Sequence, residues 1–152
     1  MGLENLDINI KKIINDDRDE ALNLVLDVFM EFGASDFSEE GVQTFKNYID
    51  NKELSENLEM YGAYYKNILV GVIATRNEGN HITLLFVDGN YHRNGIGRRL
   101  FEYVLELSSS ENITVNSSPY AVEVYHHLGF IETDFEHIDD GIRYTPMVYI
   151  NK

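Results

Sequence analysis

The spacing of apolar residues divides the chain into a helical first third and a strand-rich remainder. Leu6, Ile8 and Ile10 alternate with polar neighbours and predict a first strand ending near Ile14. Apolar positions then recur at helical intervals, with Leu22, Val25, Leu26, Phe29 and Phe32 on the inner side of a helix. Asp17 followed by Glu20 resembles a capping box at its start, with Asp in place of Ser or Thr. Residues 33–37 break the helix, and Ser38 is suited to cap a second one carrying Val42, Phe45 and Ile49. The polar residues 50–57 close that unit.

From Leu58 the period changes to two. Met60, Gly62 and Tyr64 share a face with Leu58, and a polar break at Lys66-Asn67 leads into an apolar run over 68–75, which predicts a hairpin. A second turn at 77–80 leads to residues 82–87, almost all apolar and read as a strand covered on both faces. Ile96, Leu100, Val104 and Leu107 return to helical spacing. A short strand follows at 113–115, then a helix with Pro119 in its first turn, Ser117 or Ser118 as its cap and Gly129 after its end. Residues 130–135 and 142–150 are the last strands, joined by an acidic loop with Asp139-Asp140-Gly141. Pro146 argues against a central place for the final strand. Tyr61, Tyr64, Tyr65 and Tyr144, among ten Tyr and eight Phe, suit strands as well as they suit an acceptor pocket. The pattern predicts one mixed α/β domain over 1–152.

Composition narrows the chemistry. The absence of cysteine excludes disulfides, thiolate metal sites and an acyl-cysteine intermediate. No stretch is long and apolar enough to span a membrane, and no signal-peptide pattern opens the chain, so a cytoplasmic location is expected. A net charge of −14 argues against nucleic acid or an anionic membrane as partner. It suits a cationic amine, and it equally suits simple solubility. Against this acidic background His92, Arg93, Arg98 and Arg99 cluster where the 82–87 strand meets its helix, around Gly95 and Gly97. A helix start presents unpaired N–H groups and a positive dipole end, and glycine lets an anion come close. A dinucleotide site would need a third glycine where Leu100 stands, and a P-loop would need Gly-Lys-Ser/Thr; both are missing.

The segment His92-Arg93-Asn94-Gly95-Ile96-Gly97 resembles the Gln/Arg-x-x-Gly-x-Gly/Ala motif of the GNAT superfamily of acyl-CoA-dependent N-acyltransferases, with His92 where Gln or Arg is usual. Ala121, Tyr125, Gly129 and Phe130 match a second motif, Ala-x-x-x-Tyr-x-x-x-Gly-Phe. Ser118 stands where many members have Asn, and Asn116 lies two residues earlier. The resemblance implies a mostly antiparallel sheet of about seven strands flanked by about four helices. It implies that residues His92, Arg93, Asn94, Gly95, Ile96, Gly97 and Arg98 cradle the pyrophosphate of acetyl-CoA. It implies further that the Phe86 and Val87 main chain pairs with the pantetheine arm, that Asn116, Ser118 and Ala121 flank it, and that Tyr125 protonates the departing thiolate.

Helical spacing places Tyr125 with Ala121, Val122 and Leu128 on the inner face. A phenol with a pKa near ~10 can donate to a thiolate whose parent titrates at roughly 8.5. The same spacing also fits a core tyrosine. Glu31, Asp36 and His81 are candidates to take the proton from an acceptor amine. His126 and His127 point about 100° apart on a helix, a poor chelating pair, and no metal is expected. The expected activity is direct acetyl transfer from acetyl-CoA to a primary amine of a small molecule. A non-catalytic acyl-CoA sensor and a protein or peptide acetyltransferase are the alternatives, and the last strand leaves room for pairing in a homodimer.

Overall fold

Lys66 and Asn67 adopt left-handed backbone angles, φ 51° and 66°, the pair of positive values that a two-residue hairpin turn requires. They join β2 (Glu59–Tyr65) to β3 (Ile68–Arg76). Positive φ at Asn77 and Glu78 turns β3 back into β4 (His81–Val87). The computed structural model describes residues 7–151, the side chains of residues 54 and 55 apart. The predicted contribution of Leu6 to the first strand lies outside the described residues. That strand, β1 (Ile8–Lys12), pairs antiparallel with β2 and ends before Ile14, which is exposed.

The helices are α1 (Arg18–Val28), α2 (Glu39–Asp50), the short α3 (Lys52–Glu56), α4 (Ile96–Leu107) and α5 (Val122–Leu128). After β4 come β5 (Asn112–Ser117), β6 (Ile131–Glu132), β7 (His137–Asp139) and β8 (Ile142–Ile150). The sheet runs β1-β2-β3-β4-β5-β8-β6, with β7 also on β8. All described pairings are antiparallel except β4 with β5. This is the mixed α/β, mostly antiparallel architecture expected, with eight strands. Ile96, Leu100, Phe101 and Val104 of α4 pack with Tyr125 and Leu128 of α5 on one face of the sheet. Ala21 and Val25 of α1 and Ile49 of α2 pack with Met60, Val72 and Leu84 on the other. Burial on both faces explains the unbroken apolar run of β3.

Several local expectations are corrected. Asp17 precedes α1 but its side chain makes no capping bond, because its backbone is already in the α region (φ −101°, ψ 0°). Ser38 does cap α2, its Oγ accepting from the Gly41 N–H at 3.2 Å. The polar stretch after α2 contains α3. Pro119 lies in the loop before α5, and neither serine caps that helix; the Ser117 hydroxyl donates to the Ser118 carbonyl instead. The predicted strand over 130–135 shortens to β6, and the acidic loop folds into β7 and its turn. β8 is central despite Pro146. The Pro146 carbonyl accepts from Thr133 N–H, so its donorless nitrogen faces the same edge, just where β6 has ended.

Candidate active site

β4 pairs with β5 only through its first two residues, His81 with Thr114 and Ile82 with Val115 in the middle of β5. Beyond that point they separate. The cause lies in β4: opposite β3, Leu84 pairs with Ala74 but Ile82 pairs with Thr75, leaving Thr83 as an extra, bulged residue. A bulge bends its strand, and here it turns β4 away from β5. The Thr83 hydroxyl is buried at the bend without a hydrogen-bond partner among the described residues.

Register decides which backbone groups face the fork. Asp88 N–H donates to Val70 O at 2.8 Å, and the pairs Phe86–Val72 and Leu84–Ala74 continue the same register. Hydrogen-bonded and open pairs alternate in an antiparallel ladder. The Phe86 and Leu84 backbones are therefore committed to β3, whereas Leu85 and Val87 turn theirs toward the fork. Phe86 cannot serve as an edge for a ligand arm, which corrects the sequence-based assignment; its ring instead lies 6.0 Å from that of Phe45. Leu85, absent from the sequence-based assignment, is the residue whose backbone is open on that side. Two-residue parity counted back from Val87 was the available signal.

The turn after β4 holds itself together. Asp88 Oδ1 accepts from Asn90 N–H at 2.9 Å, and Asn94 Nδ2 donates to the carbonyls of Tyr91 and His92 at 2.9 and 3.1 Å. Arg93 (φ 67°) and Gly95 (φ 76°) are left-handed. Gly95 precedes α4 without any side-chain cap, so the first N–H groups of α4, from Ile96 to Arg98, have no side-chain partner among the described residues. A Cβ at Gly95 would meet nothing within 4 Å, and one at Gly97 would meet only Val87 Cγ2 at 3.9 Å. The space above Gly97 is open. The arginines point elsewhere: Arg98 donates to His127 O, and Arg99 donates to Ile8 O at 3.0 Å. Arg93 is exposed.

His92 sits between this turn and the strand. Its Nε2 lies 2.6 Å from Val87 O, and a carbonyl only accepts, so Nε2 carries the proton. The ring of Phe32, from the π-helical turn Phe29–Gly33 that extends α1, lies 4.7 Å from His92 and 5.8 Å from Tyr120. Phe32 thus spans from the β4 side of the fork to the loop after β5. Neither contact was legible in the sequence.

On the β5 side, Asn116 is exposed, with Pro146 opposite on β8. Ser118 and Ala121 are half-buried and joined by a backbone bond of 3.1 Å. Tyr125 is buried in the core that includes Val115, with Leu85, Val87 and Ala121 packed against it. Its ring meets Phe130 edge-on at 5.3 Å. Burial alone raises its pKa above the ordinary phenol value, so the hydroxyl stays protonated at neutral pH.

The three acceptor-side candidates do not converge. Glu31 stands beside Gly89, on a cleft of about 390 Å³ that also includes Asp27 and Asp88. Asp36 is half-buried, and its carbonyl accepts from Arg143 Nη1 at 3.0 Å. His81 is at the opposite, paired end of β4, about 20 Å from Val87 at ~3.3 Å per residue. Its Nδ1 lies 2.8 Å from Thr114 Oγ1, and it lines a polar hollow of about 360 Å³ with Asn77, Asn80, Glu111 and Asn112. Burial, then the Arg76 charge, lowers its pKa to about 4, which keeps the imidazole neutral. His126 bonds Glu123 and Glu132 at 3.0 and 2.7 Å on the surface. No group of three or more metal-ligating side chains occurs among the described residues.

The sequence profile of the acetyltransferase (GNAT) domain matches residues 33–150. No curated protein sequence matches the chain. Among solved structures, a GCN5-related N-acetyltransferase from Rhodopseudomonas palustris superposes with a TM-score of 0.82 at 18% identity, over 93% of this chain and 94% of that one. The PaiA N-acetyltransferase of Thermoplasma acidophilum, solved in complex with coenzyme A, gives 0.78 at 17% identity, over 95% and 99%. Apo YjaB from Escherichia coli gives 0.75 at 21% identity, also over 95% and 99%. At these identities the structures establish the shared fold.

Proposed function

The chain belongs to the GNAT acetyltransferase family, and from that premise we propose that it transfers the acetyl group of acetyl-CoA to a primary amine of a small molecule. The observation that carries this reading is the fork: an outward-facing backbone edge at Leu85 and Val87 leads directly into the uncapped start of α4. An extended arm lying on that edge adds a strand to the sheet. The diphosphate then meets the N–H groups from Ile96 to Arg98 and the positive end of the α4 dipole. The open space above Gly97 fits that approach. Asn116 flanks the arm from β5, with Ser118 and Ala121 beyond it.

The thioester supplies an activated acetyl carbonyl. Leu85 or Val87 N–H steadies the carbonyl oxygen as the amine nitrogen attacks, and positioning in a ternary complex supplies much of the rate. The new N–C bond forms as the C–S bond breaks. Tyr125 gives its proton to the thiolate, and the amine proton leaves to solvent through a water chain. The acidic surface, net −14, favours a cationic acceptor. No helix of the described residues is long and apolar enough to cross a membrane, and a cytoplasmic site of action belongs to this proposal.

Calorimetric titration with coenzyme A, followed by thiol release against small amines and basic peptides, tests the reading. Release with small amines is the expected result. Release with basic peptides alone would reassign the acceptor, and tight binding without release from either would make the chain a sensor. Tyr125→Phe should lower kcat about a hundredfold while coenzyme A binding holds; unchanged turnover would remove Tyr125 from the mechanism.

A further inference from the structure

The Val87 carbonyl faces the fork, where β3 offers it no partner, because Val87 and Gly71 form an open pair. His92 is the group that bonds it, at 2.6 Å. The next amide, Asp88 N–H, is held by Val70 O, so the peptide between Val87 and Asp88 is fixed at both ends. The imidazole is in turn seated against Phe32, whose ring also covers Gly89 so closely that a Cβ there would come within 2.6 Å of it. One chain of contacts therefore runs from the α1 extension, through His92, to the last outward-facing carbonyl of β4.

We infer that His92 is a positioning residue for the coenzyme arm: it holds the end of the β4 edge in the orientation that an added strand needs. The inference rests on the reading of the fork as the arm's site. A carbonyl oxygen has two lone pairs, so His92 can keep one while the arm uses the other together with the Val87 N–H. The required chemistry is an N–H donor of the right reach. The role needs neither a titrating group nor direct contact with ligand.

The test compares two ligands on four proteins. Coenzyme A carries arm and diphosphate, whereas ADP carries a diphosphate without the arm. His92→Phe keeps a ring against Phe32 but cannot donate, and should bind coenzyme A about fivefold more weakly, the scale of one net hydrogen bond. Its ADP affinity should stay within twofold of the unaltered chain. His92→Gln places an N–H donor at the same number of bonds from the backbone and should restore coenzyme A affinity. His92→Asn keeps the donor but falls short of Val87, and should match the Phe variant without its bulk. Equal loss for both ligands would make His92 a general support of the turn and overturn the inference. Unchanged or tighter coenzyme A binding in the Phe and Asn variants would overturn it as well. Failure of the unaltered chain to bind coenzyme A would instead strike the reading of the fork itself.

Discussion

Gly97 separates a packing requirement from a ligand requirement. Beyond its own turn of helix, the nearest described atom to a Cβ built there is Val87 Cγ2 at 3.9 Å, and its backbone is not left-handed, so folding places no demand for glycine at this position. Alanine is about 1 kcal/mol better than glycine inside a helix, and Gly97→Ala should unfold at equal or slightly higher temperature. The added methyl would nevertheless stand where a diphosphate approaches the first N–H groups of α4. Coenzyme A affinity is expected to fall at least tenfold in the same protein. Undiminished affinity by calorimetry would place the anion elsewhere. Gly95 is a different case: its φ of 76° is itself the requirement, so a substitution there loses stability and binding together and discriminates nothing.

The fork depends on one bulged residue, and its hydroxyl marks a cost. An unsatisfied buried polar group is worth about 1–3 kcal/mol of destabilisation, and Thr83 carries one at the bend of β4. Thr83→Val keeps the β-branched shape and should raise stability by about 1 kcal/mol in urea denaturation. A loss of stability would mean that the hydroxyl is bonded in solution. Periodicity in the sequence conveys β2, β3 and β4, α4 with its glycine turn, and the αL glycine that ends α5, because each rests on local spacing or one special backbone angle. The bulge does not appear in that pattern. It depends on what β3 presents opposite Thr83, so the exchange of Phe86 for Leu85 could be settled only with the partner strand in place. Pro146 misled for the same reason. The rule against proline in a central strand concerns a missing donor, and here that donor falls on the β6 side, beside the end of β6, and leaves the ladder with β5 intact. The Phe32–His92–Tyr120 contacts join three segments far apart in the chain, a relation that residue spacing does not encode.

Across the whole molecule, acidification acts in two opposed ways. Protonating carboxylates relieves a net charge of −14, which favours the compact state. His81 works against this. Its folded pKa of about 4 lies below that of an exposed imidazole, first because of burial and then because of Arg76. Between about pH 6.5 and pH 4 the unfolded chain therefore takes up a proton that the folded chain refuses. Its contribution to stability is complete above that window and is lost as pH falls through it. His126 has the opposite sign: the hydrogen bonds it donates to Glu132 and Glu123 raise its pKa, so its contribution is present at low pH and fades as pH rises past its folded value. Its exposure keeps that effect small. His81→Gln retains a polar side chain at the hollow but removes the titration, so on going from pH 7 to pH 4.5 its urea midpoint should fall less, or rise more, than that of the unaltered chain. Parallel curves for the two proteins would mean that His81 protonates freely in the folded state.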